Sequence, residues 1–235
     1  VKQYSERDHK ILSVFWKMSR SQLDGQNIEY YLDFKRSLNE NIKILSKWDA
    51  KDLFSLMGNS LNTIDPSKLN IDKELLDISN SMVDNNIFFN RDGSMTTSDF
   101  LLYIWRAFNA GDYESIEKFT AKHLKKIHKD NIEYSRNISE AFLLFGKGRF
   151  EEVLALITSL QHPNFILKVR MKHLKVKCLY ELNDYITFES EYRSVYHFLK
   201  NNKSLSAKVK SDTKYLFDKI YHMFRLKEKS SSYEI

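Results

Sequence analysis

The feature that most limits the fold of this 235-residue chain is a turn written three times in phase. It runs Gly111, Asp112, Tyr113 and Ile116, then Gly148, Arg149, Phe150 and Val153, then Asn183, Asp184, Tyr185 and Phe188. Each instance follows an apolar helix end. Each places Gly or Asn first, a polar residue next, an aromatic after that, and an apolar residue three places further on. Gly and Asn tolerate the left-handed conformation that ends a helix and turns the chain back. The aromatic fills the wedge between the two helices, and the apolar residue packs the second against the first. A single helix pair cannot bury its apolar face, so pairs at this period are expected to stack.

Composition points the same way. The chain holds only 6 Gly and 2 Pro. Strand-rich folds need turn residues every 8–12 residues or so, whereas long helices with short connections need few. Hydrophobic residues at 42% and aromatics at 14% supply a core, which excludes disorder for most of the chain. The expected fold class is all-α, a right-handed α-solenoid of helical hairpins.

The rest of the chain reads as helix as well. Residues 5–20 carry a 3.6-residue stripe through Ile11, Leu12, Phe15, Trp16 and Met18, and Gly25 breaks it. The stripe resumes over 27–47. Asp49 is the expected cap of a shorter helix that Gly58 closes. Residues 1–83 thus form an N-terminal helical part. Residues 84–97 are an ordered connector with an Asp92-Gly93 turn and an apolar Ile87, Phe88 and Phe89 that must dock. Residues 98–203 hold three helix pairs. A capping helix with Val209, Tyr215, Leu216, Ile220, Met223 and Phe224 spans 204–227, and 228–235 is a frayed tail.

The three turns resemble the tetratricopeptide repeat (TPR), whose turn reads Gly-Asp-Tyr before acidic residues and Ala. Gly111, Asp112 and Tyr113 match directly; Gly148 with Phe150, Glu151 and Glu152 closely; Asn183, Asp184 and Tyr185 in part. Ile116, Val153 and Phe188 replace the small Ala, so wider helix packing is expected. Only Pro163 offers the closing proline of a standard unit. Gly111, Gly148 and Asn183 lie about 37 and about 35 residues apart, near the roughly 34 of that repeat. The order of features over 75–227 is also similar to a group of bacterial helical-repeat proteins with degenerate repeats and a Lys-rich terminal helix. No catalytic motif comes with either resemblance.

Chemistry-bearing motifs are sparse. Asn90 to Gly93 is superficially like part of a calcium loop, but Phe88 and Asp99 stand where the first ligand and the closing Glu would be, so an ordinary turn is expected. His123 and His128 are five apart beside Lys125 and Lys126, which suits a solvated helix face better than a metal site. His9, His162, His173, His197 and His222 are scattered, so no metal and no cofactor are expected. Cys178, the single cysteine, sits in an apolar run and reads as a small buried hydrophobe. A lone thiol suits a reducing compartment, hence a cytoplasmic expectation. No uninterrupted apolar stretch reaches the roughly 18 residues of a membrane span, and the first eight residues have no signal-peptide core. The start at Val1 suggests a fragment or a processed form.

Charge is uneven. The formal net charge is +6, with about −3 over residues 1–120 and about +9 over 121–235. The richest segment runs from Lys168 to Lys177. At helical spacing Arg170, His173, Lys177 and Tyr180 share one side. The TPR resemblance implies that this side lines a concave groove. It gives Leu101, Trp105 and Phe108, then Ile138, Phe142 and Phe145, the same place in the earlier pairs. Such a groove would hold a protein or peptide with apolar and acidic residues. The expected function is therefore a non-enzymatic protein–protein interaction module or scaffold. The alternatives are a nucleic-acid-binding repeat protein using the basic C-terminal half, and an enzyme with a dispersed active site.

Overall fold

The computed structural model describes residues 5–161 and 165–231. Pro163, the one candidate closing proline, lies outside them, as do His162 and the last four residues of the tail. The described residues are all-α. In chain order they form α1 (Glu6–Leu23), α2 (Ile28–Asn41), α3 (Lys47–Ser60), α4 (Ile71–Asp84), α5 (Thr97–Asn109), α6 (Tyr113–His123), α7 (Ile132–Gly146), α8 (Phe150–Ser159), α9 (Phe165–Glu181), α10 (Tyr185–Asn201) and α11 (Ala207–Ser231). Two compact units divide the chain, Val1–Ser135 and Arg136–Ile235, with the division inside α7.

Helix starts follow capping chemistry. Ser5 and Asp8 form a reciprocal capping box at α1. At α3 the cap is Ser46, whose hydroxyl accepts from the Asp49 amide. Asp49 is thus the third helical residue and not the cap itself. Nor does Gly58 close α3, which runs on to Ser60; an isolated Gly inside a helix costs about 1 kcal/mol and tertiary packing overrides it. Thr96 caps α5, Asp112 caps α6 and Asp184 caps α10.

The three repeated turns share one backbone geometry. Gly111, Gly148 and Asn183 have φ of 72°, 71° and 57°. The next amide in each turn bonds back five residues, Asp112 to Ala107, Arg149 to Leu144 and Asp184 to Leu179, at 2.9, 3.0 and 2.9 Å. The left-handed residue itself bonds back three, to Phe108, Phe145 and Tyr180. This is the Schellman arrangement, which satisfies the last carbonyls of the outgoing helix. The aromatics follow suit: Tyr113 meets Phe108 edge-on and Phe150 meets Phe145 edge-on, with centroids 6.3 and 5.2 Å apart. Ile116, Val153 and Phe188 are all fully buried. A fourth instance, unread in the sequence, ends α4, where Asn86 has φ 57° and Ile87 bonds back to Met82.

In Val1–Ser135, helices pack on neighbours in chain order, α1, α2 and α3 on one another, then α3 on α4, α4 on α5 and α5 on α6. The connector after α4 is pinned by Ile87, Phe88 and Phe89, all buried, and by a single bridge between Phe89 and Met95. A buried charge ties α2 to α4. Glu74, 6% exposed, accepts from the Tyr31 hydroxyl at 2.6 Å and pairs with Lys35, which also reaches Asp77 at 3.7 Å. Burial and the neighbouring Glu74 carboxylate push the Tyr31 phenol far above its usual range.

In Arg136–Ile235, α9 packs on α8, α10 and α11, and α10 packs on α11. Phe188, Phe217 and Phe224 join Val176, Leu179 and Val195 in the core. Of the apolar residues read into α11 from sequence, Ile220 and Phe224 are buried while Tyr215 and Met223 face solvent; Phe217, absent from that reading, is buried as well. The helix also runs past 227 to Ser231.

Two outcomes follow. Nothing lies within 4 Å of a Cβ added at Gly111 or Gly148, so Gly111→Ala and Gly148→Ala should each cost about 1 kcal/mol through backbone strain alone, read by denaturant unfolding. Lys35→Met leaves Glu74 buried without its cation and should cost about 3 kcal/mol in the same measurement.

Candidate functional site

Helix α9 is apolar on nearly every side. Leu167, Val169, Met171, Leu174, Val176, Cys178 and Leu179 are all buried, which no single-faced stripe allows. Three neighbouring helices cover it, and its lysines and arginine emerge between them on their aliphatic stems. Cys178 is fully buried, and burial pushes its thiol up to about 12, far from the reactive range.

Arg170, His173, Lys177 and Tyr180 lie half-buried, and His173 and Tyr180 pack against α11. His173 Nε2 is 3.1 Å from Thr213 Oγ1, and its ring lies 6.3 Å from that of Phe217. Tyr180 meets Phe224 edge-on at 5.2 Å and lies under the Lys227 ammonium at 4.0 Å. Burial lowers the Arg170 pKa. Burial, then the cations Lys177 and Arg170, press His173 down to about 4. Their contacts with α11 give His173 and Tyr180 a packing role.

The aromatic candidates divide likewise. Phe108 and Phe142 are 5% and 1% exposed and belong to the packed interior. Trp105 is half-buried beside Phe108, with centroids 5.9 Å apart, and Phe145 is half-buried beside Phe150. Leu101 and Ile138 are buried too.

A different face of α9 is open. Lys168, Lys172 and Lys175, spaced i, i+4 and i+7, border a cavity of about 240 Å³ whose walls include Ile157 and Met171. Glu191 of α10 enters it, 2.5 Å from Lys175 and 3.3 Å from Lys172. Burial raises the Glu191 pKa, but the Lys175 hydrogen bond and the two ammonium charges outweigh it and hold the carboxyl lowered, hence ionised. The ring of Phe198 lies 5.5 Å from the Lys168 ammonium and 6.0 Å from that of Lys172. The lysine spacing is visible in the sequence. The acid that organises it comes from α10 and is not.

In Val1–Ser135 a depression of about 760 Å³ follows the 61–72 loop, lined by one continuous stretch of chain and converging on no cluster of charges. The expected solvated face at His123 is corrected. His123 is 3% exposed, between Phe89 and Phe119 at 5.2 and 4.7 Å, because the docked connector covers it. Burial, with Lys126 and Lys122, lowers it to about 4. His128 remains exposed beside Asp130. The Asn90–Gly93 segment is an ordinary turn, with the Ser94 amide donating to Asp92 Oδ1. Among the described residues no group of three His, Cys, Asp or Glu could hold a metal, and no helix is long and apolar enough to cross a membrane.

No protein-family model, curated protein or solved structure matches the chain.

Both buried histidines set a pH dependence. An unfolded histidine takes up its proton as pH falls through about 6.5, whereas His123 and His173 stay neutral down to about 4. Stability contributed by their neutral state is complete above about 6.5 and is lost as pH falls toward 4, by up to roughly 3 kcal/mol for each. Denaturant unfolding at pH 7 and at pH 5 should show the loss, and His173→Gln should flatten the part arising in Arg136–Ile235.

Proposed function

We propose that this chain is a TPR-like, right-handed α-solenoid that works as a non-enzymatic interaction module and holds a segment of a protein partner. The observation that carries the reading is the turn at Gly111, Gly148 and Asn183, with one hydrogen-bond pattern at near-constant spacing. Repeated hairpins of this kind stack into extended surfaces, which suit elongated polypeptides. The link from that architecture to partner binding is an argument by fold analogy. The basic charge of Arg136–Ile235, about +7 against about −1 for Val1–Ser135, favours a partner with acidic residues. A buried, unpaired Cys178 suits a cytoplasmic setting.

The same charge supports one rival, a nucleic-acid partner. Salt separates the two, because phosphate neutralisation makes affinity fall steeply with log salt. The test is affinity capture with the intact chain from its native cell, then titration of each purified candidate. Saturable binding of one polypeptide, insensitive to nuclease, is the expected result. Nuclease-sensitive capture with a steep salt slope would replace this reading with the nucleic-acid one.

A further inference from the structure

The cavity on the open face of α9 carries more positive charge than its surroundings neutralise. Three ammonium groups, Lys168, Lys172 and Lys175, border it, and one carboxylate, Glu191, answers them. The pairing is uneven. Glu191 sits closer to Lys175 than to Lys172, at 2.5 against 3.3 Å. Lys168, one turn before Lys172, has no carboxylate partner among the described residues and lies over the Phe198 ring. Such a cation–π contact is weaker than a charge-assisted hydrogen bond to a carboxylate. One carboxylate against three ammonium groups leaves two positive charges unneutralised, although Lys172 is held loosely by Glu191. The walls are half apolar, with Met171 only 4% exposed.

We propose that this cavity receives an acidic side chain, a glutamate or aspartate, from the partner polypeptide. It rests on the interaction-module reading and names the chemistry of the contact. Lys168 and Lys172 take the incoming carboxylate, Lys175 stays with Glu191, and the methylene stem lies along Ile157 and Met171. Free phosphate could satisfy the same two ammonium groups, but it has no apolar stem to bury against those walls. Glu191 is an internal competitor: it holds Lys172 in the empty cavity and gives way to the ligand.

The probe is a set of short capped peptides, each pairing one glutamate with a leucine, beside the same peptides with glutamine in its place. Binding to the intact chain is followed by amide chemical shifts, which register millimolar affinity. The glutamate peptides should shift amides of α9 and α10, and the glutamine peptides should not. Lys168→Ala, at an exposed position where folding is not at stake, should weaken binding about threefold, and Lys168→Ala with Lys172→Ala about tenfold or more. Glu191→Gln should tighten it about threefold, a gain that a purely structural ion pair would not give. Equal binding of glutamine peptides overturns the proposal. So does inorganic phosphate that binds as tightly as the glutamate peptides, which would make this a small-anion site. If a captured polypeptide binds the doubly substituted protein as well as the parent, the cavity assignment falls while the interaction-module reading stands. If capture yields no polypeptide, that reading falls instead.

Discussion

Everything in the repeated region depends on one small conformational permission, the left-handed residue that ends a helix. At Gly111, Gly148 and Asn183 it lets two successive amides turn back onto the outgoing helix, so its last carbonyls are satisfied without water or side chains. The chain reverses within a few residues. The aromatic that follows is delivered against the outgoing helix at Tyr113 and Phe150 and against α11 at Tyr185, and Ile116, Val153 or Phe188 goes to the interior. Had the helix ended with a frayed turn, neither residue would arrive in register.

Helix α9 shows what neighbours on three sides require of a helix. A helix at the edge of an assembly can be amphipathic, but one with neighbours on three sides must be apolar nearly all round. The chain resolves the conflict with solubility by using lysine and arginine between the apolar positions. Their stems pack and their charged ends reach the gaps between helices. Where a gap is closed, the cation is desolvated, as at Arg170. Where it is open, the cations gather at a cavity with Glu191.

Legibility from the sequence followed the range of the interactions. The three turns were readable because a left-handed residue and its aromatic lie within a few positions of each other. Asn86 adopts the same geometry but was missed, since the Ile87-Phe88-Phe89 run after it leads into a connector and not straight into a helix. The sequence points to Asp49 as the cap of α3, three residues past Ser46, because the two side chains are hydrogen-bonded partners and either alone has cap chemistry. That Arg170, His173, Lys177 and Tyr180 share one side of α9 is a matter of helical periodicity, which the sequence carries. Which element packs against His173 and Tyr180 was not legible, since Thr213 and Phe224 lie 40 or more residues away along the chain. Burial of His123 was hidden for the same reason, as its cover, Phe89, comes from the connector.

The empty space around Gly111 and Gly148 has a stereochemical meaning. Glycine is used at these corners not because they are crowded, since nothing stands within 4 Å of where a side chain would begin. The constraint is one of handedness: the backbone there follows the mirror image of the conformation that L-residues prefer. A D-amino acid would find its own natural geometry at the same corner. The two glycine turns are therefore chiral switches in the path of the chain, places where the fold asks for the opposite hand and glycine, having none, complies.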